Sequence, residues 1–508
     1  MPAGAQEPDR AGTQRAFGDT GQDQTRSGLG RPAGEPGLRV PPGLGAGTPR
    51  STATSGAARQ TPTTGAALRP GPRGNRARRS RQPASDPVQG AFRSTLIAPE
   101  VASNVQPAQT GLPDPSPAPR PASPRRPAET DPYAPIGIRV GNINLYPVLG
   151  QSLGYDTNPN RTERNPRGSL VSRTEGELRV QSDWSRHELS GFLRGAYDEY
   201  PSNREASRPE GAGRIGLRLD ASRDTQFDVE GHYLIDTQRP GSPDLNAVVA
   251  QRPIIYTEGA SAGVTQRFNR LIATLRGSVD RADYENARLS NGLLLDQSDR
   301  NLTTYGTRAR LGYEIHPGLI PFVEGLADTR RYDRRIDSAG FARSSDGIGG
   351  KIGTTFELSR LLTGEISAGA TRRDYQDRRL KSLTSPVADA ALSYALSPIT
   401  TVRATAQVGV DETTIPDATG IRTARGTLEV SHDLRRNLTV TAALTTADYQ
   451  YQGVRIDEQS FGALLRADYR LNRQIALRAS YTHETLRSSV AGSSYSTDVF
   501  LLGLRLQP

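Results

Sequence analysis

One stretch near the end of the chain limits the choice of fold more than any other: DEQSFGALLRADYRLNRQIALRASYTHETL, Asp457 to Leu486. Phe461, Ala463, Leu465, Ala467 and Tyr469 fall on one parity, and Ser460, Gly462, Leu464, Arg466, Asp468 and Arg470 on the other. After Leu471-Asn472-Arg473 the alternation resumes, with Ile475, Leu477, Ala479 and Tyr481 set against Arg478, Ser480 and Thr482. Strand side chains point to opposite faces with period two, so each arm has one apolar and one polar face. A polar turn between two such arms makes a hairpin. Both arms exceed the common soluble strand of about 5–6 residues. The pattern predicts a hairpin of a transmembrane β-barrel, with apolar residues to lipid and arginines to the lumen.

The rest of the chain divides into two regions. Residues 1–135 are rich in Pro, Gly, Ala, Ser, Thr and Arg and carry no sustained apolar period. Such a segment buries too little apolar surface to offset chain entropy, so it is expected to be a disordered tail. It contains an arginine cluster (Arg73, Arg76, Arg78, Arg79, Arg81), a short apolar nub at Thr95–Pro99 and a proline-rich stretch over 113–135 that reads as a stiff linker. The cluster suits either a solvated charge run or contact with anionic lipid or polysaccharide. From Ile136 to Pro508 the alternation recurs. Short turns fall at Asp183–His187, Ala221–Thr225, Arg267–Arg270, Ile315–Gly318, Leu358–Leu361, Leu396–Ile399, Asp433–Arg436 and Leu471–Arg473. Nine longer polar segments, from Pro159–Gly168 to Arg487–Tyr495, alternate with them. Eight turns and nine loops join 18 strands. The fold class is therefore all-β: an up-and-down antiparallel barrel over 136–508, with both ends on the short-turn side. Tyrosines where strands enter long loops (Tyr155, Tyr197, Tyr200, Tyr284, Tyr332, Tyr375, Tyr449, Tyr451) are expected to form an aromatic girdle at the headgroup level.

Charge and composition narrow the function. The net charge of +10 is concentrated in the tail, where residues 1–137 hold 17 Arg against 10 Asp and Glu, so the basic balance does not argue for nucleic acid. There is no cysteine. No run approaches the ~18 apolar residues of a membrane helix, which a barrel does not need. The opening MPAGAQEPDRAGTQRAFGDTG lacks the apolar core of a secretory signal, and the barrel pattern favours a start upstream of Met1.

A resemblance sharpens this. Gly137-Ile138-Arg139, Gly141, Pro147-Val148-Leu149 and Gly154-Tyr155-Asp156-Thr157-Asn158 resemble the opening strand of the outer-membrane proteins called putative β-barrel porin type 2. Many members are encoded beside exopolysaccharide synthesis genes. The end of this chain, Leu506-Gln507-Pro508, departs from the usual terminal Phe, although Phe500, Leu502, Leu504 and Leu506 still share a face. The resemblance implies the bacterial outer membrane, a lipid environment, and a channel for export or passage of an exopolysaccharide or other polar or anionic solute. It also implies polysaccharide and periplasmic export components as partners. A non-conducting structural or surface-binding barrel is the alternative.

By alternation the lumen receives Arg194, Arg218, Arg276, Arg308, Arg310, Arg403, Arg466, Asp468, Arg470 and Arg478. Such a wall of both signs is either a wet surface of cross-strand ion pairs or a selective lining that uses arginine as a forked donor. Catalysis is not expected, and neither is a cofactor or metal. His187, His232, His316, His432 and His483 are scattered, and no HExxH, GxSxG or P-loop pattern occurs. His432 with a serine on a neighbouring strand imitates the lipid-facing pair of outer-membrane lipases, but reads better as an interface histidine.

The tail contributes no alternating segment, so the barrel's hydrogen bonds are expected to close without it. Deleting residues 1–135 behind a supplied signal peptide is expected to leave a heat-modifiable band on gels; loss of that band shift in an exported protein would refute this.

Overall fold

The computed structural model describes residues 132–238, 243, 252–289, 291–359 and 361–508. The predicted tail, its arginine cluster and its apolar nub lie outside the described residues, apart from 132–135. The barrel strands are β1 Ile143–Asp156, β2 Ser169–Ser182, β3 Glu188–Glu199, β4 Arg208–Asp220, β5 Thr225–Thr237 and β6 Ile254–Phe268. They continue as β7 Leu271–Tyr284, β8 Leu302–Tyr313, β9 Leu319–Tyr332, β10 Ser345–Glu357, β11 Leu362–Tyr375 and β12 Leu383–Ser397. The last six are β13 Thr400–Asp411, β14 Gly420–Arg435, β15 Leu438–Gln452, β16 Asp457–Arg470, β17 Ile475–Ser488 and β18 Tyr495–Leu506. Each pairs antiparallel with its neighbours in sequence, and β18 returns to β1, from Leu149 opposite Leu506 to Asp156 opposite Val499. The 18 strands thus form a closed barrel. Strands of 12–16 residues exceed the ~9–11 needed to span hydrocarbon, so they project beyond it.

Alternation decides which face each residue takes. Leu149, Leu153, Ile215, Leu275, Val323, Ile348, Ile352, Leu465 and Leu502 are exposed on the outer surface. Their sequence neighbours on the opposite parity, such as Ser152, Arg276, Glu324, Lys351 and Arg466, are buried inside. An arginine facing lipid at the midplane costs about 2–4 kcal/mol, and every lipid-exposed backbone group without a partner costs several more. A closed barrel with this parity avoids both. The hairpin Asp457–Leu486 is β16, a turn over 471–474 and β17, with Asp468 opposite Arg478.

The first strand explains the family-like motif residue by residue. Ile138–Val140 folds back on Ile143–Leu145 through a turn at Gly141, whose φ of 60° favours glycine. This entry hairpin sits on the short-turn end, where the Gly137 amide donates to the Pro508 carbonyl and Arg473 Nε to the Pro132 carbonyl at 2.8 Å. At the other end of β1 lies the seam. Gly154 packs so closely on the Phe500 backbone of β18 that a Cβ has no room. Asp156, fully buried, accepts from Thr497 Oγ1 of β18 (2.7 Å), the Asn158 amide (2.9 Å), Arg161 Nη1 (2.9 Å) and the Tyr200 hydroxyl (3.0 Å). Asn158 Nδ2 donates to the Ser496 carbonyl at 3.0 Å and Asp498 N to Thr157 Oγ1 at 2.8 Å. Gly-Tyr-Asp-Thr-Asn is therefore the clasp that joins the last strand to the first.

The aromatic expectation needs correction. Tyr155 and Tyr197 are exposed on the outer surface, with Tyr256 and Tyr305 beside them at other strand ends. Tyr200, Tyr284, Tyr332, Tyr449 and Tyr451 are buried, and Tyr375 is mostly buried, turned inward beneath the long loops. The x-Asp-Tyr endings put the aspartate outside and the tyrosine inside, because strand parity, not headgroup affinity, fixes their direction.

Two outcomes follow. Asp156→Ala leaves the buried Arg161 with Glu484 as its one carboxylate and takes the acceptor from three further donors, each costing about 1–3 kcal/mol when left unsatisfied. It is expected to lower the temperature of the gel band shift, with Asp156→Asn losing less. The absence of native cysteine makes single-cysteine labelling clean. Arg335→Cys in the loop after β9 is expected to react on intact cells and Asn472→Cys in the turn after β16 is not; the reverse pattern would invert the barrel.

Candidate functional site

The lumen wall is built from cross-strand ion pairs on the inward parity. Arg194 of β3 approaches Glu177 of β2 at 4.0 Å, and Arg218 of β4 meets Glu188 at 2.8 Å and Asp220 at 3.4 Å near the short-turn end. Arg276 of β7 donates to Ser261 Oγ at 3.2 Å and stands 3.7 Å from Asp228. Arg308 and Arg310 of β8 share Glu324 of β9 at 3.5 and 2.7 Å, and Arg310 reaches Glu365 of β11 at 3.1 Å. Arg403 of β13 holds Glu429 at 3.2 Å. Asp468 lies between Arg466 (3.3 Å) and Arg478 (2.8 Å), while Arg478 also meets Glu175 of β2 at 3.5 Å across the seam. Arg470 continues the face of Arg466 and Asp468 and is half-buried. Lysine joins once, Lys351 to Asp389 at 2.5 Å.

The pairing is dense because a buried charge without a counter-charge is costly in a way that a paired one is not. The sequence reading names the arginines but not several acids that hold them, among them Glu175, Glu177 and Glu324, nor Asp389, which holds Lys351. Their signal was present, since they too lie on the inward parity. One sector differs. Thr405 and Gln407 of β13 share the parity of Arg403 yet are exposed, so water-sized solute reaches the wall there.

The long-loop mouth is a second feature, one that no periodicity in the sequence announces. The loop 412–419 joins β13 to β14 but folds inward to β9: Glu412 takes Arg330 Nη1 and, at 3.1 Å, the Tyr332 hydroxyl. Arg343, buried, donates to the carbonyls of Thr413 (2.7 Å), Ile415 (2.6 Å) and Ala418 (3.0 Å), and Asp337 balances its charge. Ile415, Ala418 and Ile421 then pack with Tyr449, Tyr451 and Ile456. Across the mouth, the loop after β1 folds in as well. Arg161 pairs with Asp156 at 2.9 Å and Glu484 at 3.3 Å; burial opposes its charge, but these two carboxylates outweigh it and hold its pKa well above the usual value. Burial, against the pull of Arg208, pushes the Tyr200 hydroxyl up to about 12, with Asp156 and Asp198 adding to the rise.

The histidines stay apart. His232 spans Gly259 to Asp280 in the lumen at 3.2 Å, His483 pairs with Asp498 at 2.9 Å on the outer face, and His432 Nδ1 meets Thr400 Oγ1 at 2.8 Å rather than a serine. His187 Nδ1 accepts from the Asp220 amide at 3.2 Å, and His316 sits in a short turn. Among the described residues no group of three or more potential metal ligands converges.

Several solved structures are similar in shape. The copper transporter OprC is 13% identical, with 73% of this chain and 84% of that one covered at a TM-score of 0.39. Pseudomonas aeruginosa OccK3 (OpdO) is 15% identical, over 72% and 96%, at 0.36. The siderophore receptor PirA from Acinetobacter baumannii is 8% identical, over 73% and 81%, at 0.37. At this identity and overlap they say nothing of what this chain carries. No curated protein is similar enough to match. The family described as "putative beta-barrel porin 2" matches residues 131–508, which take in the entry hairpin, the clasp and every barrel strand, and the chain belongs to that family of bacterial outer-membrane barrels.

Proposed function

We propose that the barrel is a channel for a polar or anionic solute, with an acidic exopolysaccharide on its way out of the cell as the cargo that suits it best. The observation that carries this reading is the water-reachable inward sector of β13, where Thr405 and Gln407 are exposed beside Arg403. A barrel of this strand number is wide enough to leave an aqueous path between its walls. Hydroxyl, amide and guanidinium groups in sequence offer donors to a hydroxylated, negatively charged chain without a tight pocket to trap it. Work of this kind needs no covalent chemistry, and the reading includes no enzyme activity and no cofactor. Surrounding lipid, the polysaccharide and periplasmic export components are the partners it calls for.

A second reading is favoured by the mouth. The buried loop 412–419, fixed by Arg330 and Arg343, narrows the long-loop end, which suits a barrel that binds ligand through its loops and does not conduct. Reconstituted in planar bilayers, the full chain is expected to give discrete conductance steps on the first reading and none on the second. Releasing the strap with Arg343→Ala is expected to raise the conductance of a conducting barrel.

The exposed wall is also the place to change selectivity. Replacing Arg403, Arg466, Arg470 and Arg478 together by glutamate would be a poor probe, since Arg466 and Arg478 are buried against Asp468 and Glu175. Gln407 is not so constrained. Gln407→Glu is expected to move the reversal potential in a salt gradient towards cation preference and Gln407→Lys towards anion preference. If neither moves it in a folded protein, the β13 wall is not on the conducting path.

A further inference from the structure

The clasp at the seam leaves one charge unanswered. Arg252, just before β6, is 7% exposed, and its Nη2 donates to the carbonyl of Pro159, the residue that follows the Gly-Tyr-Asp-Thr-Asn clasp. Among the described residues no carboxylate lies within ion-pair distance of it, and its Nε is buried without a partner. The acids nearby are already engaged. Asp156 and Glu484 hold Arg161, and Asp198 holds Arg173 at 2.7 Å and Arg208 at 3.2 Å. Arg208 leans over the Tyr200 ring, 5.7 Å from its centre, and its own Nη1 is likewise buried and unpartnered.

Three guanidinium groups are therefore close enough at the mouth to act on one another, with two unused buried donors and one charge uncompensated among the described residues. Natural folds do not normally leave a buried cation in that condition, because desolvating it without a counter-ion destabilises the protein. Burial, then the charges of Arg208 and Arg161, pull the Arg252 pKa down to about 9, the direction expected when positive charge outweighs negative around a buried group. Arg161 and Arg343, also buried at the mouth, each have a carboxylate against them, whereas Arg300, which lies over the Tyr284 ring and donates to Gln297 Oε1, has no carboxylate in ion-pair range among the described residues.

We propose that Arg252, with Arg208 and Arg161, forms an oxyanion-binding subsite at the long-loop mouth that takes the carboxylate or phosphate group of an acidic solute. Arginine suits the task, since its planar fork of donors matches an oxyanion and it stays charged at neutral pH. Pro159 and the clasp hold one side of the subsite, so an anion bound there also tightens the loop after β1 onto the seam. The proposal rests on the channel reading only for the identity of the solute; binding itself requires no conduction.

The test uses the purified full chain in detergent and reads the temperature of the gel band shift at constant ionic strength. An anion that binds only the folded barrel must raise that temperature by mass action. Glucuronate and inorganic phosphate are expected to raise it in the wild type, and glucose is not. In Arg252→Met the response is expected to vanish, while the anion-free protein unfolds no lower than the wild type because a buried unpaired charge has been removed. Should Arg252→Met fail to fold, Arg252→Lys keeps the charge without the fork and is expected to bind at least about tenfold more weakly. No glucuronate or phosphate response in the wild type, or an equal response in the variants, would overturn the subsite. A response without bilayer conductance would leave the subsite standing and remove the channel reading instead.

Discussion

In hydrocarbon a backbone amide has no water to turn to, so every strand edge must meet another strand. That constraint governs this molecule from its topology down to single side chains. It fixes a closed sheet, and closure makes the β1–β18 join the point on which the whole depends. Seventeen of the eighteen joins connect sequence neighbours and are set by local hairpins and loops. The last must be specified by side chains, and the most heavily engaged carboxylate at the join is Asp156, with four donors.

The same closure creates an enclosed polar interior, and the lumen is electrostatic for that reason. Inward residues cannot be apolar throughout without filling the barrel. Charged ones must be matched because a buried charge is expensive alone. The result is a wall of reciprocal pairs, such as Arg310 between Glu324 and Glu365 and Asp468 between Arg466 and Arg478. Against that background places among the described residues where pairing lapses stand out, such as the exposed β13 sector around Gln407, and Arg252 and Arg300 at the mouth.

How much of this was legible in the sequence depends on the range of the interaction. Strand number, hairpin positions and the inward parity of Arg276, Arg308 and Arg466 follow from a period of two, which is a local property. The tyrosines show the limit of analogy. Tyr284 and Tyr332 sit one residue past the parity that would have placed them in the lipid interface, and a girdle assigned by residue type overlooked that shift. The mouth was not legible. Glu412 meets Arg330 from four strands away, and the Arg343 side chain grips carbonyls whose positions depend on the path of the loop. Nothing periodic encodes such contacts. The motif at Gly154–Asn158 lies between these extremes: visible as a pattern, but explained only when Thr497 and Ser496 arrive beside it.

That arrival has a consequence in time. Asp156 and its partner Thr497 stand 341 residues apart in the chain, so the clasp is among the longest-range contacts the protein makes. Loop-closure entropy delays contacts of this kind relative to hairpins. While the chain is being assembled, β1 therefore waits with an open edge, and the buried site of Asp156 does not yet exist. Arg161, five residues on, and Tyr200, forty-four residues on, are local enough to reach the carboxylate early, but Thr497 reaches it only when the final strand is delivered. The clasp thus acts as a completion mark: an unfinished or truncated sheet has nothing to lock, and only a full set of strands acquires the buried network that makes opening slow.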